Sequence, residues 1–141
     1  MVKLPITNLS KYRILYADTD QMGVMYYGNY GKLYEIGRAE MVRELGFAYV
    51  ELEKRGIGMP VYSVDARYRG ALRYDELVTI ETTLVKIPGA RIEFRHRILN
   101  EAGALAHEAT VVLVFQDMRS MKLVRAPQAL LSVLGSSGSE G

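Results

Sequence analysis

The 141-residue chain contains no cysteine, which removes disulfides, thiolate zinc sites and a cysteine nucleophile by inventory alone. The absence suits a reducing compartment. Long hydrophobic runs are also missing: no apolar stretch reaches the roughly 18 residues of a membrane span. The N-terminal MVKLPITNLSKYR lacks the continuous apolar segment of a signal peptide. A cytoplasmic chain with no membrane partner is expected. Neither sign of charge dominates, since 18 Lys and Arg face 16 Asp and Glu for a net charge of +2. That balance argues against nucleic acid and leaves room only for a small anion met locally. The chain has 2 histidines. His96 and His107 fall on separate expected strands, which is not the spacing of a helical metal pair. No serine occupies a strand-to-helix GxSxG turn, and GIGMP at 56–60 lacks the rest of a phosphate loop. The inventory indicates no metal, no nucleotide cofactor and no covalent serine.

What is present reads as one domain over residues 1–134 followed by GSSGSEG at 135–141, a tail with nothing to bury and expected to be disordered. Residues 11–17 alternate loosely as a first strand. From Tyr30 to Leu45 the apolar or small positions Tyr30, Leu33, Tyr34, Gly37, Met41 and Leu45 recur with a helical period. Lys32, Glu35, Arg38, Glu40 and Arg43 take the other positions. Gly46 ends the run, and residues 48–55 suggest a short helical turn. Strand-like segments follow at about 60–70, 76–87, 90–100 and 104–117, the last three joined by turns short enough for antiparallel hairpins. TVVLVF at 110–115 is apolar on both faces and should be covered on both. Residues 127–134 suggest a terminal helix. One helix with a single apolar stripe and about five antiparallel strands make an α+β layer. Gly31 and Gly37 inside the helix cost about 1 kcal/mol each relative to alanine, which close approach of the sheet would offset.

The segment YADTDQMGVMYYGNYGKLYE at 16–35 carries the functional signal. Two aspartates follow a strand and precede Gly23, a tyrosine-rich turn and the helix. Asp18 reads as a turn cap that accepts backbone N–H groups, and Asn29 as an N-cap of the helix. Unpaired amides at that helix start can stabilise developing negative charge on a carbonyl oxygen. Glu35 and Arg38, spaced i,i+3, can pair on the helix surface.

DTDQMGVMYYGNY, then YEIGRAEM on the helix, then RYRGALRYDELVTIET resemble the hotdog-fold acyl-CoA thioesterases of the 4-hydroxybenzoyl-CoA thioesterase and YbgC-like group. The likeness covers about residues 10–127. It implies a hotdog fold, an antiparallel sheet of about five strands wrapped around one long helix. It also implies that Asp20 is the catalytic carboxylate and that the Tyr27 backbone amide polarises the acyl carbonyl. Many YbgC-like members carry histidine where Tyr27 stands. Glu35 is a rival base, because other hotdog thioesterases place their carboxylate on this helix.

Thioester hydrolysis makes modest demands, since a thiol with a pKa near 8.5 leaves without a strong general acid. One carboxylate suffices, either attacking the carbonyl to form a mixed anhydride or activating water. Gly23, Val24, Tyr26, Asn29 and Tyr30 are the expected substrate-binding residues around it. Met22, Met25 and Met59 are either pocket lining or ordinary core. Among the arginines at 67, 69, 73, 91, 95 and 97, Arg91 beside the IPG turn is the candidate for a coenzyme A phosphate. The resemblance implies a homodimer or homotetramer with sites between subunits. An acyl carrier protein as thioester donor, a non-catalytic acyl-thioester binder, and a hydratase or dehydratase on the same fold are the competing readings.

Overall fold

The computed structural model describes residues 3–46 and 49–134, so the expected tail at 135–141 lies outside the described residues. β1 (Ile6–Arg13) leads through a 3-10 turn at Tyr16–Asp18 and a second at Tyr27–Asn29 into α1 (Tyr30–Glu44). Then come α2 (Tyr49–Lys54), β2 (Ile57–Gly58), β3 (Val61–Tyr68), β4 (Leu77–Leu84), β5 (Arg91–Leu99), β6 (Leu105–Asp117), β7 (Leu123–Val124) and α3 (Gln128–Leu134). The five long strands run in the order β1-β4-β5-β6-β3, every pair antiparallel. The short β2 and β7 pair with the end of β6. This is the sheet around one long helix that the resemblance implies.

Alternation sets the faces. One cross-strand row runs Asn8, Thr82, His96, Ala109 and Ala66, and the next runs Ser10, Ile80, Ile98, His107 and Tyr68. Both point toward α1, whose buried residues Tyr30, Leu33, Tyr34, Gly37, Arg38, Met41 and Val42 recur at three- and four-residue spacing. The opposite face carries the row Leu9, Glu81, Arg97, Glu108 and Arg67, and Arg97 pairs with Glu81 at 2.9 Å.

Three expectations change. The first strand is Ile6–Arg13 rather than 11–17, because the Asp18 carboxylate takes the Leu15 N–H at 2.8 Å and turns the chain there. Arg38 is buried rather than solvated, since α2 and the segment 57–59 close over that side of the helix. It forms no pair with Glu35; the i,i+3 pair on α1 is Glu40 with Arg43, at 2.5 Å. The apolar run at 110–115 is largely covered within the single chain, with Val111, Leu113, Val114 and Phe115 buried, and the open apolar surface lies on β3, where Val61, Val64 and Tyr68 stand about half exposed.

The two helix glycines part company. A Cβ at Gly31 would meet nothing within 4 Å, so no close approach explains it. At Gly37 a Cβ would collide with Thr82 Oγ1 and crowd Ile80, and Thr82 is itself buried and hydrogen-bonded to His96 Nδ1 at 3.0 Å. Gly37→Ala is therefore expected to lower stability by about 1–3 kcal/mol despite the gain in helix propensity. Gly31→Ala is expected to raise it slightly, and urea unfolding of the pair checks both signs.

Candidate active site

The loop between β1 and α1 is a small hairpin. Thr19 bridges Met25, the Asp20 N–H donates to Val24 O at 3.0 Å and the Gly23 N–H to Asp20 O at 2.9 Å. Gly23 turns the chain at φ +79, a conformation that costs other residues. Val24 bridges Arg73, and the Met25 N–H donates to Leu72 O at 2.7 Å. Asp18 locks the base of the hairpin. Its carboxylate, 2 % exposed, accepts from Tyr12 at 2.7 Å, from the Leu15 N–H and from Lys32. Its carbonyl accepts the Tyr26 N–H and the Asn29 side-chain amide, each at 2.9 Å. Burial pushes the Asp18 carboxyl up, but hydrogen bonds from Lys32, Tyr12 and Leu15 outweigh it and hold the group below the ordinary carboxylate range. The capping reading of Asp18 stands. Asp18→Ala strands three donors and is expected to destabilise the protein by about 2–4 kcal/mol, measured by chemical denaturation.

Asn29 does not cap α1. It ends the 3-10 turn and has no side-chain cap bond; its amide is spent on Asp18 O. The helical entry therefore begins at Tyr27, one turn earlier than expected. Among the described residues the Tyr27 N–H has no acceptor, as its first-turn position dictates.

Asp20 presents its carboxylate at the tip of this hairpin. One oxygen accepts the Met22 N–H at 2.8 Å, and Asp20 is exposed in the single chain. Tyr26 and Tyr27 pack ring to ring at 4.7 Å. The Tyr26 hydroxyl is pushed up by its hydrogen bonding and charge interaction with Tyr27, then by burial and the charge of Asp20. The Tyr68 hydroxyl on β3 donates to Tyr27 O at 3.3 Å.

Beneath the loop lies a ladder that the sequence did not announce. Tyr30 stacks on His107 at 4.1 Å, Tyr68 meets His107 edge-on at 4.6 Å, and the Tyr34 hydroxyl lies 2.5 Å from His107 Nε2. Tyr34 also stacks on His96 at 5.1 Å. Burial pushes the Tyr30 hydroxyl up to about 12. It pulls His96 down to about 3, helped by the charges of Arg38 and His107, and His107 down to about 4 against the opposing charge of Glu108. Both imidazoles are neutral and hold the helix start against the sheet. Tyr30 therefore belongs to the ladder, buried at 4 % exposure.

Glu35 does not join the hairpin. It is exposed and lines a cavity of about 230 Å³ together with Arg38, Leu52, Glu53, Ile57, Gly58, Met59 and Leu113. Of the three methionines, Met25 is core, Met22 is exposed and Met59 lines this cavity. Arg67, Arg69, Arg95 and Arg97 are each paired with a carboxylate. Arg91 instead lies over the Tyr62 ring at 4.5 Å, with no carboxylate partner among the described residues.

Residues 14–134 match the model of the thioesterase-like superfamily. The chain is 34% identical to YneP of Bacillus subtilis over 82% of its own length and 84% of that protein. It is 31% identical to the acyl-CoA thioester hydrolase YbgC of Escherichia coli O6:H1, over 85% and 90% of the two chains. A DHNA-CoA thioesterase from Staphylococcus aureus superposes with a TM-score of 0.87 at 30% identity, covering 96% of this chain and 95% of the other. An antiparallel sheet of five long strands wrapped around one helix thus has its counterpart in known proteins: the chain belongs to the thioesterase-like superfamily and has the hotdog fold.

Proposed function

We propose that the chain hydrolyses acyl-CoA thioesters, with Asp20 as the catalytic carboxylate and the Tyr27 amide as the donor to the carbonyl oxygen. The observation that carries this reading is that the loop between β1 and α1 holds both an exposed carboxylate, at its hairpin tip, and an N–H left free at the first turn of the helical entry. The family membership and the names of YbgC and of the superposed thioesterase support the substrate class. In the reaction an oxygen forms a bond to the acyl carbon, from Asp20 itself or from water that Asp20 deprotonates. The electron pair collects on the carbonyl oxygen beside the amide, then expels the thiolate, and where Asp20 is the attacking group water afterwards opens the anhydride to release the acid and restore the carboxylate. The thiolate needs no strong acid to depart. Arg91, free of carboxylates and braced on Tyr62, is the sheet arginine suited to a coenzyme A phosphate.

The working unit is a symmetric dimer. β3 pairs with β6 along one edge only among the described residues, and Val61, Val64 and Tyr68 leave its helix-side face uncovered. Tyr27 stands beside that open face through the Tyr68 contact, so a second copy is the wall the site lacks. A panel of aliphatic, aromatic and hydroxylated acyl-CoAs, scored by free-thiol release, tests the activity. Saturable binding of every ester without thiol release would overturn it.

A further inference from the structure

From the 3-10 turn into α1, positions 27, 31, 35 and 38 follow one another at about one helical turn and share a stripe. Gly31 leaves that stripe unobstructed, since a Cβ there would meet nothing within 4 Å, and Glu35 and Arg38 farther along it line the cavity of about 230 Å³. Arg38 is the unusual member. It is 9% exposed, its Nε is buried with no partner, and it makes no hydrogen bond or ion pair among the described residues. An unpaired buried guanidinium is costly, and it presents donors without acceptors to walls otherwise formed by Leu52, Ile57, Met59 and Leu113. The other charged groups around it are Glu35 on α1 and Glu53 on α2, both exposed, and the neutral His96 on β5, which its charge reaches. Two carboxylates already on the cavity disfavour a third. The acceptor that fits is an uncharged oxygen.

We propose that Arg38 closes the far end of the acyl subsite and selects acyl chains bearing a hydroxyl or keto oxygen at the end remote from the thioester. The assignment rests on the thioesterase reading and deepens it to a substrate class. α1 rises roughly 12 Å between Tyr30 and Arg38 at about 1.5 Å per residue. The Tyr27 amide lies about 6 Å before Tyr30, at about 2 Å per residue of the 3-10 turn, and the arginine leans back toward the helix start by about one turn, so the oxygen lies about 12 Å from that amide, within reach of a medium-chain acyl group.

The test compares kcat/KM for ω-hydroxyoctanoyl-CoA and octanoyl-CoA in the native chain, Arg38→Met and Arg38→Gln. The native chain is expected to favour the hydroxylated ester by about tenfold, the scale of a hydrogen bond to a charged donor. Arg38→Met brings the ratio to near unity, and Arg38→Gln, which keeps an uncharged donor, falls between. A native ratio near unity, or one that neither substitution moves, overturns the proposal. If Arg38→Met does not fold, Arg38→Gln carries the comparison. If the native chain cleaves neither ester, the thioesterase reading is what fails, and calorimetric titration of the two esters still decides for Arg38. An affinity difference lost on substitution supports it, and equal affinities overturn it.

Discussion

Asp20→Asn is expected to lower kcat for acyl-CoA hydrolysis by about 10²–10⁴-fold, the range for loss of a positioned base, with KM changed far less. The substitution isolates chemistry from architecture. The Asp20 side chain makes one structural bond, accepting the Met22 N–H, and the amide oxygen of asparagine can take it over. The hairpin bonds at this position run through the Asp20 backbone, and the base of the loop is held by Asp18. The variant should therefore unfold at the same denaturant concentration as the native chain. Undiminished turnover would remove Asp20 from the mechanism and turn attention to Glu35, whose replacement by glutamine is the matched experiment. Single-turnover hydrolysis in heavy-oxygen water then separates the two routes. Label in the Asp20 carboxylate marks an anhydride, and label in the acid product alone marks a base.

The second large effect is acid lability. His96 and His107 are at most 1% exposed, and burial lowers their pKa from 6.5 to about 3 and about 4. Below pH 6.5 the unfolded chain takes up protons that the folded chain refuses, so stability is complete above 6.5 and falls as the pH drops toward the folded values. At pH 5 each histidine costs about 2 kcal/mol, at about 1.4 kcal/mol per pH unit. Together that is about 4 kcal/mol, a large share of the roughly 5–15 kcal/mol that holds a domain. Asp18 adds to the loss only at lower pH, because its carboxyl titrates below the ordinary value of 3.8. Denaturant midpoints measured from pH 7.5 to pH 4.5 should decline steadily, and His107→Gln should flatten the slope while lowering the midpoint at neutral pH. A midpoint that stays level from pH 7 to pH 5 contradicts neutral buried imidazoles.

Several features were legible because they are local. The stripe Tyr30, Leu33, Tyr34, Gly37 and Met41 specifies a helix and its buried face before any partner is known, and the helix runs Tyr30–Glu44 as that period requires. The alternation of Ile92, Phe94, His96 and Ile98 specifies a strand, and all four are buried. An aspartate two residues ahead of another, before a glycine, reads as a cap, and Asp18 is one.

Other features depend on what comes to rest against a residue. Arg38 has the charge of a solvent-facing position, yet it lies on the buried side of α1 beside a cavity walled by α2 and residues 57–59. Asn29 is a sound N-cap by type, yet the carbonyl of Asp18 reaches its amide first. The contacts of Tyr68 with Tyr27 and of Tyr30 with His107 join residues about 40 and more positions apart, and no periodicity records them. The chain's own residues thus determine the helix, the strands and the turn that carries Asp20, because hydrophobic period and turn chemistry act over a few residues. Which polar groups are buried, and which apolar surface stays open, was decided by packing between distant segments, because burial is a property of neighbours rather than of sequence.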